Sequence, residues 1–292
     1  MDERAALRLL SDELEAAGDD AAVVDGLVVT TDMLHDRTDF PDGTTRYTAG
    51  WRAIGASLSD VAAMGAPATA AVAAYAAPTF DRDELLAFVR GASDVCARVD
   101  AEYVGGDLDG HDEFTVTTTA IGRTDDPVHR SGARPGDVVC VTGTLGRSAA
   151  ALRLFERGHT DRANDLFRFD PRIATGRALA PHASAMMDSS DGLARSLHQL
   201  AEASDCGFAI ESDRIPIDDA VRDVVDGDDD ALELATTFGE DFELVATLPE
   251  DALPAVRDTT DVSLSVLGSV RDAVDGITMD GEVLANRGYT HG

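Results

Sequence analysis

Residues 21–32 read AAVVDGLVVTTD, two short runs of β-branched residues about Asp25-Gly26, a dipeptide that turns one strand back onto the next. Outward from this hairpin the period changes. Residues 47–64 carry apolar side chains at helical spacing, TAAVAAYAA (69–77) is strand-like, and DRDELLAFVRGASDVCARV (81–99) is an amphipathic helix starting near Asp81. AEYVGG (101–106) and EFTVTTTAIG (113–122) add two strands. Upstream, Leu7, Leu10 and Leu14 are spaced for a helix. Residues 124–137, TDDPVHRSGARPGD, are polar, rich in turn formers and unpatterned, so they read as a linker between a domain at 1–127 and a second at 136–292. Beyond it come a strand (DVVCVTG), a helical segment (GRSAAALRLFERG), a strand passing into a helix (AMMDSSDGLARSLHQLAEAS), and the strands GFAIES, DFELVATLP and VSLSVLGSV. Strands and helices mix on both sides of the linker, which points to α/β or α+β in each domain.

The chain has 55 acidic and 24 basic residues, a formal net charge of −31, and all 24 basic residues are Arg. Such a surface repels itself in dilute buffer and is relieved by screening, so adaptation to concentrated salt is expected. The same charge argues against nucleic acid or an anionic membrane as partner. No apolar run approaches the roughly 20 residues needed to cross a bilayer. The opening MDERAALRLL lacks a basic-then-apolar leader pattern, so a cytoplasmic setting is expected. With no Lys, Walker-type phosphate loops and Schiff-base chemistry are excluded. Cys96, Cys140 and Cys206 lie in apolar surroundings without zinc or disulfide spacing and read as buried, reduced thiols.

Asp is so abundant here that position, not presence, carries the information. Asp20 precedes the strand AAVV, Asp32 ends VVTTD beside Thr30 and Thr31, and Asp60 lies inside the apolar helix SLSDVAAMGA. Asp107 follows YVGG, and Asp188 and Asp191 bracket Ser189-Ser190 where a strand meets a helix. Singly, Asp191 serves equally as a helix cap and Asp107 as a turn residue. Six carboxylates at the ends or interior of apolar segments point instead to a cation cage. Oxygen-only donors suit Mg²⁺, which keeps waters and substrate phosphates in its shell, so a polyphosphate ligand follows. Gly105-Gly106 would let backbone approach phosphate closely. TGTLGRS (142–148) reads equally as a second phosphate turn or as a structural strand-to-helix turn.

AGDDAAVV, TTDML, SLSDVAAMGA, VGGD, RSGARPGDVVCVTGTLG, MMDSSDGL and FGEDFELVATLP span residues 17 to 249. In this order and spacing they resemble the thiamine-monophosphate kinases, relatives of aminoimidazole ribonucleotide synthetase. The resemblance implies a two-domain fold of that type, with an N-terminal domain whose strands join a partner's in a dimeric β-barrel and a C-terminal α+β domain closing over the nucleotide. It implies a homodimer that transfers a phosphoryl group in line from ATP to thiamine monophosphate, with Mg²⁺ at Asp20, Thr30, Thr31, Asp32, Asp60, Asp107, Asp188 and Asp191. ATP would lie at Gly106, Asp107, Arg130 and Ser190, although Arg130 reads equally as an interdomain ion pair. Glu240 would face the thiamine portion. Asp39, Asn286 and Tyr289 would be the further substrate-binding residues, with Asp39 beside the cationic thiazolium unless it is an ordinary surface acid. Yet two positions depart from the pattern: Asp39 stands where the family usually has His, and Asn286 replaces a C-terminal aromatic, with Tyr289 close by. A selenophosphate-synthetase relative would carry a reactive Cys and Lys near its start, and neither is present. A catalytically silent nucleotide-binding protein would have no use for the retained Asp set.

Overall fold

A computed structural model describes residues 9–10, 13–14, 16–260 and 262–288. The first half is a five-stranded sheet of β1 (Ala22–Val24), β2 (Leu27–His35), β3 (Ala68–Ala77), β4 (Glu102–Gly110) and β5 (Thr115–Arg123), in the order β1-β2-β5-β3-β4. The Asp25-Gly26 turn joins β1 to β2, with both turn residues at positive φ. β3 and β4 are parallel, connected through α2 (Arg82–Arg98), whose N-terminus is capped by the Asp81 carboxylate accepting from the Asp83 and Glu84 amides.

Helix α1 (Arg46–Ala63) lies across one face of this sheet and is buried along most of its length. It approaches α2 almost backbone to backbone. A Cβ on Gly50 would sit 2.2 Å from the Phe88 carbonyl oxygen, and one on Gly91 2.0 Å from that of Tyr47, so only glycine fits at this crossing.

The second half is a seven-stranded mixed sheet of β6 (Val138–Thr142), β7 (Ala185–Asp188), β8 (Cys206–Ile210), β9 (Leu244–Leu248), β10 (Leu264–Asp272), β11 (Ile277–Met279) and β12 (Glu282–Val283). Its order is β12-β11-β8-β10-β6-β9-β7, and only β11 and β8 pair in parallel. Helices α3 (Arg147–Glu156), α4 (Thr160–Phe167), α5 (Ile173–Leu179), α6 (Leu193–Ser204) and α7 (Asp228–Thr237) accompany it.

The two halves share a core. One apolar cluster runs from Val28, Ile54 and Leu58 through to Met186, Leu244 and Ala246. The expected linker, residues 124–137, forms no regular element but is firmly packed: the Val128 amide donates to Met64, and Met186 donates to the His129 carbonyl.

The expected two-domain architecture, with a mixed sheet in each half, is present; within one chain the first sheet is open, with β1 and β4 at its edges. The helix expected around Leu7, Leu10 and Leu14 falls largely outside the described residues. All three cysteines are free and buried, and burial pushes the Cys96 and Cys140 thiols up to about 12. Among the described residues no helix is long and apolar enough to cross a membrane.

Candidate functional site

A strand exposes alternate residues on one face and a helix every third or fourth. Thr30 and Asp32 on β2 therefore face α1 together, where they meet Asp60 and Ser57. Thr30 Oγ1 donates to Asp60 Oδ2 at 2.5 Å, and Ser57 Oγ donates to Asp32 Oδ2 at 2.5 Å. Thr31, one residue out of phase, is turned away and donates to the Thr118 carbonyl at 2.8 Å.

Asp20, in the turn before β1, and Asp188, the last residue of β7, complete the arrangement. Oxygens of Asp20, Asp60 and Asp188 all lie within 4.8 Å of one another. Burial is the first cause raising all three carboxyls; the charges of the clustered aspartates add to it at Asp60 and Asp188, and that of Asp19 adds to it at Asp20. Asp188 is pushed up to about 8, and Asp32 adds its charge to both Asp60 and Asp188. Thr30 and Arg130 oppose the shift at Asp60 and Asp20 respectively.

Arg130 forks onto Asp20, Nε to Oδ2 at 3.1 Å and Nη2 to Oδ1 at 2.9 Å, while its own amide donates to Asp19. It is thus the ion pair between the connecting segment and the first half. Asp188 Oδ2 is buried without any hydrogen-bond partner. An all-carboxylate donor set with one orphaned oxygen suits a hard cation, and these residues fit Mg²⁺.

The remaining expected positions separate into neighbours and outliers. Ser190 and Asp191 lie two and three residues beyond Asp188, and the Ser190 carbonyl accepts the Glu240 amide at 2.6 Å. Asp107 is not brought to the cluster. It is exposed on edge strand β4, separated from β2 by β5 and β3, three strand spacings or about 14 Å, and its carboxylate accepts from the Leu108 amide. Gly106 is held by packing, since a Cβ there would lie 1.7 Å from the Ala73 carbonyl oxygen. Asp39 is engaged in its own turn, accepting from the His35 amide and Thr38 Oγ1, each at 2.7 Å. Asn286 is exposed in the segment after β12, and Tyr289 lies outside the described residues.

Several residues that sequence reasoning passed over organise the loop 239–243. Asp241 is buried, and its two oxygens accept from the Gly146 and Ser148 amides at 2.5 and 2.9 Å, occupying the N-terminus of α3. The turn at 142–148 is therefore a structural one, filled by the protein's own carboxylate. Burial pushes Asp241 up to about 7 against those two hydrogen bonds. Glu243 is buried between the fork of Arg172 and Thr142 Oγ1. Arg52, fully buried on α1, reaches Glu240. The available signal was a charged residue inside an apolar helical run.

The fold family is then decided by two matches. A model for the N-terminal domain of AIR synthase related proteins matches residues 18–124, and one for the C-terminal domain matches residues 134–279. A thiamine-monophosphate kinase of Halobacterium salinarum is 65% identical over 291 residues, covering 100% of both chains. The chain belongs to the thiamine-monophosphate kinases of the AIR synthase related family. Another family member, from Methanospirillum hungatei, is 40% identical over 95% of this chain and 94% of its own. Among solved structures, the thiamine-monophosphate kinase of Stenotrophomonas maltophilia superposes with a TM-score of 0.82 at 32% identity, covering 96% of each chain. AaThiL complexed with AMPPCP and TMP superposes at 0.89 with 27% identity, over 100% of this chain and 97% of that one.

Proposed function

We propose that this kinase transfers the terminal phosphoryl group of ATP to thiamine monophosphate, giving thiamine diphosphate and ADP, at the cluster of Asp20, Asp60 and Asp188. The observation that carries the site is the buried, unpartnered Asp188 Oδ2 beside two further carboxylates, in a chain 65% identical to a thiamine-monophosphate kinase.

Asp20, Asp60 and Asp188 would hold Mg²⁺, with Asp32 and Thr30 behind them and Asp191 at the mouth. Mg²⁺ bound there would neutralise and orient phosphate oxygens. The protein's own task is positioning. The acceptor is a phosphate oxygen whose second pKa near 6 leaves it largely ionised at neutral pH, so no strong general base is needed. Arg130, forked on Asp20, brings a guanidinium to the edge of the cluster for the phosphates. Ser190 belongs with ATP, and Glu240, clamped to the Ser190 carbonyl, faces the cationic ring of the acceptor.

The outer face of the first sheet leaves Met33, Val104 and Leu108 exposed, and the same reading assigns it to a second copy of the chain. Pairing there would also enclose Gly106 and Asp107 on β4. The test is a turnover assay in molar KCl with Mg²⁺, ATP and thiamine monophosphate. Stoichiometric thiamine diphosphate and ADP are expected. ADP release without thiamine diphosphate would overturn the assignment.

A further inference from the structure

We infer that Arg52 is a positioning residue for acceptor binding, holding the Glu240 carboxylate in its working orientation. The inference rests on the reading of Glu240 as the residue that meets the acceptor.

A guanidinium with no exposure is expensive in a protein interior: its desolvation costs several kcal/mol, and an apolar residue of similar volume often fills such a place as well or better. Arg52 has zero exposure in the middle of α1, so its presence asks for a specific use. Its contacts supply one, and they all lie in the second half of the chain. Nη1 donates to the Phe167 carbonyl at 2.7 Å, and the guanidinium carbon stands 3.6 Å from the centre of the Phe167 ring. Nη2 donates twice to the same residue, to the Glu240 carbonyl at 3.0 Å and to Glu240 Oε2 at 2.5 Å.

Glu240 needs such restraint. Its φ is +63°, in the left-handed region that disfavours a residue with a side chain. A backbone of that kind persists only where the surroundings over-determine it. Here the Glu240 amide is held by Ser190, its carbonyl accepts from both Arg52 and Ser148 Oγ (2.6 Å), and its carboxylate is held by Arg52. The side chain nevertheless keeps 19% of its surface exposed, so a ligand can reach it. Because Ser190 is two residues beyond Asp188, these bonds also set the distance between the carboxylate cluster and the Glu240 carboxylate. An ordinary core arginine would have no reason to clamp both the carbonyl and the carboxylate of one strained residue.

Steady-state kinetics and thermal melts of Arg52→Lys, Ser148→Ala and Glu240→Gln test this. Glu240→Gln and Arg52→Lys should each raise KM for thiamine monophosphate by about tenfold, the loss of one charge-assisted hydrogen bond, with KM for ATP little changed. The double variant should be no worse than Glu240→Gln alone, since the two changes remove one device. Ser148→Ala should shift the same KM by a smaller factor.

If Glu240→Gln raises that KM while Arg52→Lys, melting like the parent, leaves it unchanged, the inference about Arg52 falls and the reading of Glu240 stands. An unchanged KM in Glu240→Gln overturns both. Should Arg52→Lys fail to fold, Ser148→Ala decides: an unchanged KM for thiamine monophosphate there overturns the clamp.

Discussion

Asp188 shares its cluster with Asp20 and Asp60 at oxygen separations within 4.8 Å, where two like charges repel by about 3.5 kcal/mol at an effective dielectric near 20. A second route gives a similar size. Burial, and then the charge of Asp20, push the Asp188 carboxyl from 3.8 up to about 8, so at pH 7 folding forces a proton onto it at a cost on the order of 4 kcal/mol. Asn has the same shape and no charge, so Asp188→Asn should stabilise the metal-free protein by about 2–4 kcal/mol near neutral pH.

The sign follows from the raised pKa. The contribution of Asp188 to stability is fully present below 3.8 and is lost as pH climbs to about 8, so the advantage of the Asn variant should grow across that window and level off above it. Melts in molar KCl with a chelator, repeated over a Mg²⁺ series, read both limbs. The parent should gain stability with Mg²⁺ and turn over; the variant should do neither. A variant that melts below the parent in chelator at pH 8, or that keeps a Mg²⁺-dependent shift with near-normal turnover, refutes the cage.

Asp241→Asn should reduce the pH dependence of folding. Burial raises Asp241 from 3.8 to about 7, so its contribution is lost between those values, and the gap between parent and variant should narrow by up to on the order of 4 kcal/mol as pH rises through them. A gap constant from pH 4 to 8 contradicts this. Asp39→Asn should lower stability by about 1 kcal/mol, through its bonds to His35 and Thr38, with KM for thiamine monophosphate unchanged. A raised KM with an unchanged melt would instead put Asp39 at the acceptor. With a net charge of −31, the protein should need salt of about molar concentration, where the Debye length falls to about 3 Å, and circular dichroism melts across a KCl series would test it. Equal stability in dilute buffer sinks that expectation.

Local pattern carried much of this molecule. The Asp25-Gly26 hairpin, the strand 68–77 and the Asp81-capped helix follow from turn chemistry and period, because each is decided within a dozen residues. Strands β11 and β12, of three and two residues, are too short to show a period. Helix α7 begins Asp228-Asp229-Asp230 and looks like solvated loop until its apolar face finds the rest of the second half.

In the site, Asp20, Asp60 and Asp188 stood out because each interrupts apolar sequence. Which of the six carboxylates meet was not readable, since Asp107 and Asp32 differ in which strand carries them, a property of sheet order. Asp241 was hidden for a related reason: its partners, Gly146 and Ser148, lie more than ninety residues away.

The three clustered carboxylates do not come from one half of the chain. Asp20 and Asp60 belong to the part built on the first sheet and Asp188 to the part built on the second. A cation bound between them, as proposed, would be a rivet as well as a reagent: emptied, the joint must take up a proton or bear the repulsion of its carboxylates; filled, it would be drawn shut. Cellular magnesium would then govern how long each copy survives as well as how fast it works. When the ion is scarce, the seam should loosen first and offer itself to proteases, and the enzyme's abundance should fall with the supply of the proposed metal.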